Sequence, residues 1–276
     1  MSSIVTRDNH PIDEDTRQKI SQRYKRITKA VNSEFWGSFS ETAHSRYVGS
    51  YGRGTAINTS DLDVLIELPN SEYDHFESLL SNGQSRLLQA VKDSILETYP
   101  NTDIRGDGQV VVVDFSDGMK FEILPAFRKL NWFGDWDGTY NYPDTHMGGN
   151  WMTTNPKAEQ DAIDDKDDED YSNGLLKDTC KHIRYVKKEF FSSDHLSGIL
   201  IDSFVFQAIG NWHWLRDGEE KSSGYSKSYE EILLDYYNTE FPLAGYVVPT
   251  LVAPGSGMEV DGDDWAVLGK VLNKMV

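Results

Sequence analysis

Cysteine is nearly absent from this sequence, which has Cys180 alone among 276 residues. A single cysteine excludes an internal disulfide and is typical of a reducing compartment, so we expect a cytoplasmic location. Long apolar runs are also lacking, since no stretch approaches the roughly 18 residues that a membrane-spanning helix needs. The N-terminus has no apolar core of the kind a signal peptide carries. We therefore expect no membrane partner.

Positive charge is scarce as well. The chain has 27 lysines and arginines against 45 aspartates and glutamates, which gives a net charge of −18. A protein that grips long nucleic acid along its backbone usually carries a basic face, so this balance argues against such a partner. A free nucleotide needs only a few local cations, and the composition favours that smaller substrate.

The most informative stretch is 47–68, which combines glycines, a serine and two aspartates. Asp61 and Asp63 open an alternating run that is typical of a strand, with apolar residues at Leu62, Val64, Ile66 and Leu68. Residues two apart on a strand share a face, so the two carboxylates point the same way and repel unless a divalent cation binds them. Upstream, Gly49 and Ser50 offer backbone N–H groups and a hydroxyl to a phosphate. The pattern predicts a metal–triphosphate site; two surface aspartates on an ordinary α/β protein are the plainer alternative.

These residues resemble a known signature. Gly49-Ser50 followed by Asp61-x-Asp63 is similar to the motif of the DNA polymerase β-type nucleotidyltransferases. The similarity continues in order and spacing through 121–127, 149–156 and 176–187. Together they resemble the bacterial cGAS/DncV-like nucleotidyltransferases (CD-NTases), relatives of oligoadenylate synthetase, over about 47–187. The resemblance implies an α+β fold, with a polymerase β-like sheet, helices and a C-terminal helical lobe.

Periodicity along the chain agrees with that architecture. Helical spacing of apolar residues predicts helices at about 13–35, 84–98, 197–216, 227–238 and 263–275, with another from 173. Strand patterns lie at about 102–105, 109–116 and 119–124. We expect two domains: a nucleotidyltransferase core with the N-terminal helix at 1–160, and a helical lobe closing the nucleotide cleft at 161–276.

Two other stretches have less regular patterns. Residues 128–154 mix turn residues with tryptophans at 132, 136 and 151. These rings could stack on a base, but we favour aromatics that fix a long loop onto the core. Residues 159–170 contain eight acids and one lysine. They lack the spacing and turn glycine of a metal loop, so we expect a solvated helix face or acidic loop. A turn-rich stretch is expected at 245–257.

The expected chemistry is template-independent transfer of a nucleoside monophosphate to a hydroxyl, with release of pyrophosphate. Two divalent ions, Mg²⁺ or Mn²⁺, would activate the hydroxyl and stabilise the leaving oxygen. We assign the metal-ligand role to three carboxylates: Asp61, Asp63 and Glu122.

Phosphate binding is assigned to three further residues. Gly49 and Ser50 are expected to hold the β- and γ-phosphates. The resemblance matches Lys187 to a lysine that contacts the donor phosphates. It lies in a basic cluster that offers counter-charge in an acidic chain: Lys177, Lys181, Arg184, Lys187 and Lys188.

Glu122 departs from the family pattern, which usually has aspartate at this position, and Asp114 is an alternative third ligand. A two-residue turn at 117–118 would pair Ser116 with Met119. Glu122 and Asp114 would then point to opposite faces of the sheet, and only one could join the aspartate pair. The segment after Glu122 resembles the third-ligand strand, so we choose Glu122. An extra residue at the turn would shift this pairing by one.

We therefore expect an enzyme that joins nucleoside triphosphates into a small cyclic oligonucleotide, which a separate effector reads during phage defence. One alternative is a linear product, or transfer to a nucleic acid or protein hydroxyl. A second alternative is a catalytically silent module that binds a nucleotide or a partner. A complete set of three carboxylates favours turnover over the silent module.

Overall fold

The N-terminal helix shows how local sequence sets the bounds of an element. A computed structural model describes residues 4–57, 61–220, 227–240 and 251–276, and its first helix, α1, is Glu14–Trp36. Asp13 caps the N-terminus, where its side chain accepts a hydrogen bond from the Thr16 N–H at 2.9 Å. Gly37 ends the helix in the left-handed conformation, with φ of 59°. The helix predicted at 13–35 is confirmed.

The chain divides into two compact units. The sheet unit consists of Ile12–Gly52 and Asn58–Pro156, and the helical unit consists of Met1–Pro11, Arg53–Ile57 and Lys157–Val276. The chain thus passes from the sheet unit into the helical unit at Arg53 and returns after Ile57. The predicted domains, 1–160 and 161–276, are continuous segments, whereas neither unit is; those ranges stay a prediction.

The sheet unit is built on one mixed sheet. Its described strands are β1 (Ser45–Tyr47), β2 (Leu62–Glu67), β3 (Asp103–Asp107), β4 (Val110–Asp114), β5 (Lys120–Leu130), β6 (Trp136–Asp144) and β7 (Asn150–Thr154). The order is β1-β2-β5-β4-β3, and the far end of β5 pairs with β6, which pairs with β7. β2 and β5 are parallel, and the other pairs are antiparallel. Parallel β2 and β5 therefore lie side by side in the middle of the sheet.

Helices cover one face of this sheet. α1 and α4 (Gly83–Thr98) pack together with the inward side chains of β2, which are Leu62, Val64 and Ile66. These three residues are no more than 1% exposed. A short helix, α3 (Asn70–Glu77), adds Phe76 to the same core. Burying Leu62, Val64 and Ile66 here sends the intervening residues of β2 to the opposite face.

The prediction of a long loop at 128–154 is wrong, because most of this stretch forms strands. β5 continues to Leu130, and β6 and β7 form antiparallel partners beyond it. Trp151 belongs to β7, and its ring centroid lies 4.8 Å from that of Tyr73. Its role is packing, whereas Trp132 is 96% exposed at the β5–β6 turn. The glycines, aspartates and asparagines of this stretch hid its strands, because such residues have low strand propensity and pairing partners determine the outcome.

The helical unit has a core of its own. Its described elements are α5 (Pro156–Asp167), α6 (Leu175–Phe190), α7 (Gly198–Ala208), α8 (Tyr229–Glu240), α9 (Trp265–Met275) and the small strands β8 (Leu251–Val252) and β9 (Glu259–Val260). Trp265 and Phe204 are among its largest buried side chains. Cys180 is fully buried in the same core, and burial raises the pKa of its thiol.

The α+β class and the predicted helices are confirmed, although several helices begin or end at other residues than predicted. The helix predicted at 197–216 ends at Ala208, and the acidic stretch is helical through Asp167. Within the turn-rich stretch at 245–257, residues 245–250 lie outside the described residues. No helix in the described part of the chain has the length and apolar character needed to cross a bilayer.

Candidate active site

Asp61 and Asp63 lie at the start of β2, on the face that the helices leave uncovered. Asp61 directly precedes the strand and Asp63 is its second residue. Because Leu62 and Val64 are buried against the helices, strand alternation turns both carboxylates to the other face. The Asp61 side chain is 55% exposed, so it can reach a solvent-borne ligand.

Gly49 lies against the Asp63 side chain, and a larger residue there would displace the Asp63 carboxylate and strain the backbone. Its φ is +57°, and a Cβ placed on it would lie 1.9 Å from Asp63 Oδ2. A backbone hydrogen bond from Val48 N to Asp63 O, 2.8 Å long, holds the two segments together. Ser50 follows in the one-turn helix α2 (Gly49–Gly52). The turn that carries Gly49 and Ser50 therefore lies directly beside one predicted metal ligand, Asp63.

Glu122 is brought to the same place by the pairing of β2 with β5. In this parallel register Asp63 is the direct partner of Glu122. Paired residues on neighbouring strands are about 4.8 Å apart and present their side chains to the same face. Glu122 and Asp63 are therefore neighbours on adjacent strands. Asp61 lies two residues before Asp63, on the same face.

Lys120 is a site residue that the sequence interpretation missed. Its Nζ lies 2.5 Å from Asp61 Oδ1 and 2.9 Å from Glu122 Oε1. Burial alone would lower the pKa of Lys120, but its hydrogen bonds to the two carboxylates raise the pKa above the usual 10.5. A lysine two residues before Glu122 on the same strand must share its face, so strand alternation was the signal that could have found it.

The donor set suits a divalent cation. Carboxylate oxygens are the ligands that Mg²⁺ and Mn²⁺ prefer, and Asp61, Asp63 and Glu122 supply them from two adjacent strands. The Lys120 ammonium already lies between two of these carboxylates, so a positive charge fits there. Among the described residues, no three acidic, histidine or cysteine side chains converge into a ready metal centre.

The predicted hairpin register is off by one residue. Phe115 pairs with Met119 across a three-residue turn, in which Gly118 has φ of +84°. Asp114 consequently pairs with Lys120, while Glu122 pairs with Val112. Asp114 and Glu122 therefore share a face, contrary to the prediction that they point to opposite sides. The cause is the extra turn residue, which shifts all downstream pairs by one.

The basic cluster on α6 is smaller than the sequence suggests. The guanidinium of Arg184 is buried and binds both carboxylate oxygens of Asp202 at 2.7 and 3.0 Å. Lys177 lies 2.6 Å from Asp164, so its charge is also compensated. Lys187 is half-buried, and no described residue forms an ion pair or side-chain hydrogen bond with it. Lys187 stays available as the proposed phosphate contact.

A buried charge network in the helical unit was also missed. Asp202 is fully buried, and its Oδ2 accepts hydrogen bonds from Arg53 Nε at 2.8 Å and from Thr55 Oγ1 at 3.0 Å. Arg53 also binds Glu159 at 3.1 Å. Burial alone would raise the pKa of Asp202, but Arg184 and Arg53 lower it below its usual range. The network anchors Arg53–Ile57, the segment that follows the Gly-Ser turn in the chain.

Comparisons with known proteins agree with this geometry. The family model for the Second Messenger Oligonucleotide or Dinucleotide Synthetase domain matches residues 7–167, more than half of the chain. No curated protein matches the sequence.

Solved structures similar to this chain include three bacterial synthases. The CdnE cyclic dinucleotide synthase of Elizabethkingia meningoseptica has a TM-score of 0.62 at 12% identity, covering 94% of this chain and 89% of its own. The CdnE c-UMP-AMP synthase of Rhodothermus marinus has a TM-score of 0.60 at 13% identity, covering 96% and 95%. The DncV cyclic AMP-GMP synthase of Vibrio cholerae has a TM-score of 0.56 at 12% identity, covering 83% and 60%.

At such identities these structures show that the fold is shared. The family model itself matches the segment that carries the Gly-Ser turn, both aspartates and Glu122. The chain therefore belongs to the Second Messenger Oligonucleotide or Dinucleotide Synthetase family, the CD-NTases, and is an enzyme of this nucleotidyltransferase class.

Proposed function

We propose that this enzyme is a template-independent, metal-dependent nucleotidyltransferase that joins nucleoside triphosphates into a small cyclic oligonucleotide. The observation that carries the proposal is the register of β2 with β5, which pairs Asp63 with Glu122 while Gly49 lies against the Asp63 carboxylate. A phosphate-binding turn in contact with paired carboxylates is what transfer from a triphosphate needs.

In the proposed reaction, a hydroxyl oxygen of one nucleotide forms a bond to the α-phosphorus of another. The bond from that phosphorus to the bridging oxygen breaks, pyrophosphate leaves, and the hydroxyl proton passes to solvent. Asp61, Asp63 and Glu122 are the residues proposed to hold two divalent ions. When bound, such ions activate the hydroxyl and stabilise charge on the leaving oxygen.

The remaining roles belong to the chain itself. Gly49 permits close approach of the backbone, and the Ser50 hydroxyl and neighbouring N–H groups are proposed to hold the β- and γ-phosphates. Lys187 is proposed to offset their charge. Glu122 is one methylene longer than aspartate, so its carboxylate reaches further from the strand than that of Asp63. This difference affects metal placement and hence rate more than it affects the fold.

Several observations support the proposed substrates and product. The E. meningoseptica relative was solved with GTP and Apcpp, and the family model is that of an oligonucleotide or dinucleotide synthetase. The net charge of −18 disfavours long nucleic acid as acceptor. We place the activity in the cytoplasm, where a separate effector reads the product during phage defence.

The test is to incubate the purified chain with each nucleoside and deoxynucleoside triphosphate, together with Mg²⁺ or Mn²⁺, and to identify products by mass spectrometry. The expected result is a cyclic oligonucleotide formed without added nucleic acid, with a rate that depends modestly on salt. The matched control is Asp61→Ala combined with Asp63→Ala, which should give no product.

Other outcomes separate the alternatives. A linear product would remove the cyclisation step but keep the transferase. Activity that requires tRNA or DNA, with affinity falling steeply as salt rises, would overturn the free-nucleotide acceptor. Nucleotide binding without any pyrophosphate release would indicate a silent module instead.

A further inference from the structure

A lysine ammonium lies between the carboxylates that are proposed to bind metal. Lys120 opens β5, and its Nζ is 2.5 Å from an oxygen of Asp61 and 2.9 Å from an oxygen of Glu122. These two acids come from different segments, one before β2 and one within β5. The ammonium thus bridges the Asp61 and Glu122 carboxylates through two ion pairs.

The charges of the cluster explain why such a cation is useful. Asp61, Asp63 and Glu122 bring three negative charges to one face of neighbouring strands, and like charges this close repel. Lys120 compensates one of them. Its side chain is 28% exposed, as is that of Glu122, so the contact is only partly shielded from water. A ligand arriving from solvent can therefore compete for the same oxygens.

We propose that Lys120 is a built-in counter-cation that holds Asp61 and Glu122 in the metal-free protein and that a divalent ion must displace from them. The inference rests on the metal site of the proposed function and adds a residue that sets the affinity of that site. Lys120 acts through the carboxylates and is a positioning residue. It keeps the cluster intact before metal binds, and it raises the metal concentration at which the site fills.

The sign of one measurement separates this role from a simpler one. If Lys120 only arranged the carboxylates for the ion, its removal would weaken metal binding. If the ion displaces Lys120, removal frees two ligands and deletes a nearby positive charge, so binding becomes tighter. Coulomb repulsion at this range, reduced by solvent screening, corresponds to an effect of about tenfold in the dissociation constant.

The experiment compares the full-length wild type with Lys120→Met, Lys120→Arg and Lys129→Met. Mn²⁺ binding is measured without nucleotide by titration calorimetry, and the melting temperature is measured with and without Mn²⁺. Lys129 lies on the same strand but is exposed, so its replacement removes an equal formal charge away from the cluster. It is the matched control, while Lys120→Arg keeps the charge in place.

We expect Lys120→Met to bind Mn²⁺ about tenfold more tightly than the wild type. Its metal-free melting temperature should be lower, and saturating Mn²⁺ should close that gap, because the ion replaces the missing cation. Lys129→Met and Lys120→Arg should bind like the wild type. Should Lys120→Met not fold without metal, Lys120→Gln measured at low temperature gives the same comparison.

Two results would overturn the inference, and they have different consequences for the proposed function. Equal or weaker Mn²⁺ binding by Lys120→Met, with normal binding by the wild type, leaves the proposed function standing and removes the role of Lys120. Absence of Mn²⁺ binding in every variant removes the metal site itself, and the displacement with it.

Discussion

Two charge clusters in this chain are built in opposite ways. In the helical unit two bases meet two acids, and their side chains are at most 12% exposed: Arg53, Arg184, Asp202 and Glu159. In the sheet unit one base meets two acids, and the side chains of these ion pairs are 28 to 55% exposed: Lys120, Asp61 and Glu122. In the first cluster bases and acids are equal in number, whereas in the second the acids outnumber the base.

The difference follows from the cost of burying charge. An ion in the protein interior is destabilising unless partners compensate it fully, so the buried cluster supplies Asp202 with two guanidinium groups. A site that binds cations from solvent needs the reverse, because uncompensated negative charge is what attracts them. The comparison predicts that changes in the sheet-unit cluster alter activity, whereas changes in the helical-unit cluster alter stability.

The largest effect should come from replacing Asp61 and Asp63 together by alanine. Pyrophosphate release should fall to background, because two of three proposed metal ligands are lost. The free energy of unfolding should change by less than about 1 kcal/mol, since the Asp61 ion pair is exposed to water. Urea unfolding and a pyrophosphate assay measure the two quantities, with exposed Asp74→Ala as the control. Undiminished turnover would end the two-metal proposal.

Glu122 tests the third position of the same cluster. Glu122→Gln keeps the size of the side chain but removes its charge, so pyrophosphate release should stop. Glu122→Asp keeps the charge and shortens the reach by one methylene, so it should retain some activity. Steady-state rates of pyrophosphate release at saturating Mn²⁺ decide between the two. Full activity in Glu122→Gln would show that another residue completes the site.

Asp202 tests the buried cluster. Asp202→Ala leaves Arg53 and Arg184 buried without their shared carboxylate, so the chain should lose about 3–5 kcal/mol of unfolding free energy. The pKa of Asp202 is lowered in the folded state, so its contribution is complete above the usual pKa of 3.8 and is lost as pH falls through the lower, folded-state value. The gap in urea stability between wild type and variant should therefore narrow in acid. A gap that widens would contradict the assignment.

The elements that could be predicted from sequence are those that bury one regular face. α1, α4 and α6 repeat apolar residues at helical spacing, and β2 alternates, so each pattern reports burial directly. β6 was missed because its strand character comes from pairing with β5 and β7. Local composition there, with Asp137, Gly138 and Asn141, favours turns.

The site was predictable only where its residues are close in sequence. The Gly-Ser turn and the aspartate pair lie within one short stretch, and their meeting needs only one strand and one turn. The ion pair of Lys120 with Asp61 depends on the pairing of β5 with β2. That pairing is set by the tertiary structure and cannot be read from the local sequence. The register error had a local cause, the left-handed Gly118, which makes the turn one residue longer than the Asp-Gly pair suggests.

Phosphate binding should show a smaller effect than loss of the carboxylates. Ser50→Ala and Lys187→Ala should each weaken nucleotide binding about tenfold, the equivalent of one charge-assisted hydrogen bond. Stability should hardly change, because neither side chain is part of a core. Equilibrium binding of a non-hydrolysable triphosphate measures this, with the exposed neighbour Lys188→Ala as control. Wild-type nucleotide affinity in Lys187→Ala would show that Lys187 does not contact the phosphates and that this helix face is only solvent-exposed.

The smallest effect is expected from Asp114→Asn, although Asp114 shares the face of Glu122. The sheet order separates the two acids. Glu122 lies on β5, directly beside Asp63, whereas Asp114 lies on β4, one strand further away at about 9.6 Å from β2. Its direct partner on β5 is Lys120, whereas the direct partner of Glu122 on β2 is Asp63. Pyrophosphate release and Mn²⁺ affinity should both stay within about threefold of the wild type, as for a partly exposed charge. An inactive Asp114→Asn beside an active Glu122→Gln would reverse the assignment and move the third ligand to β4.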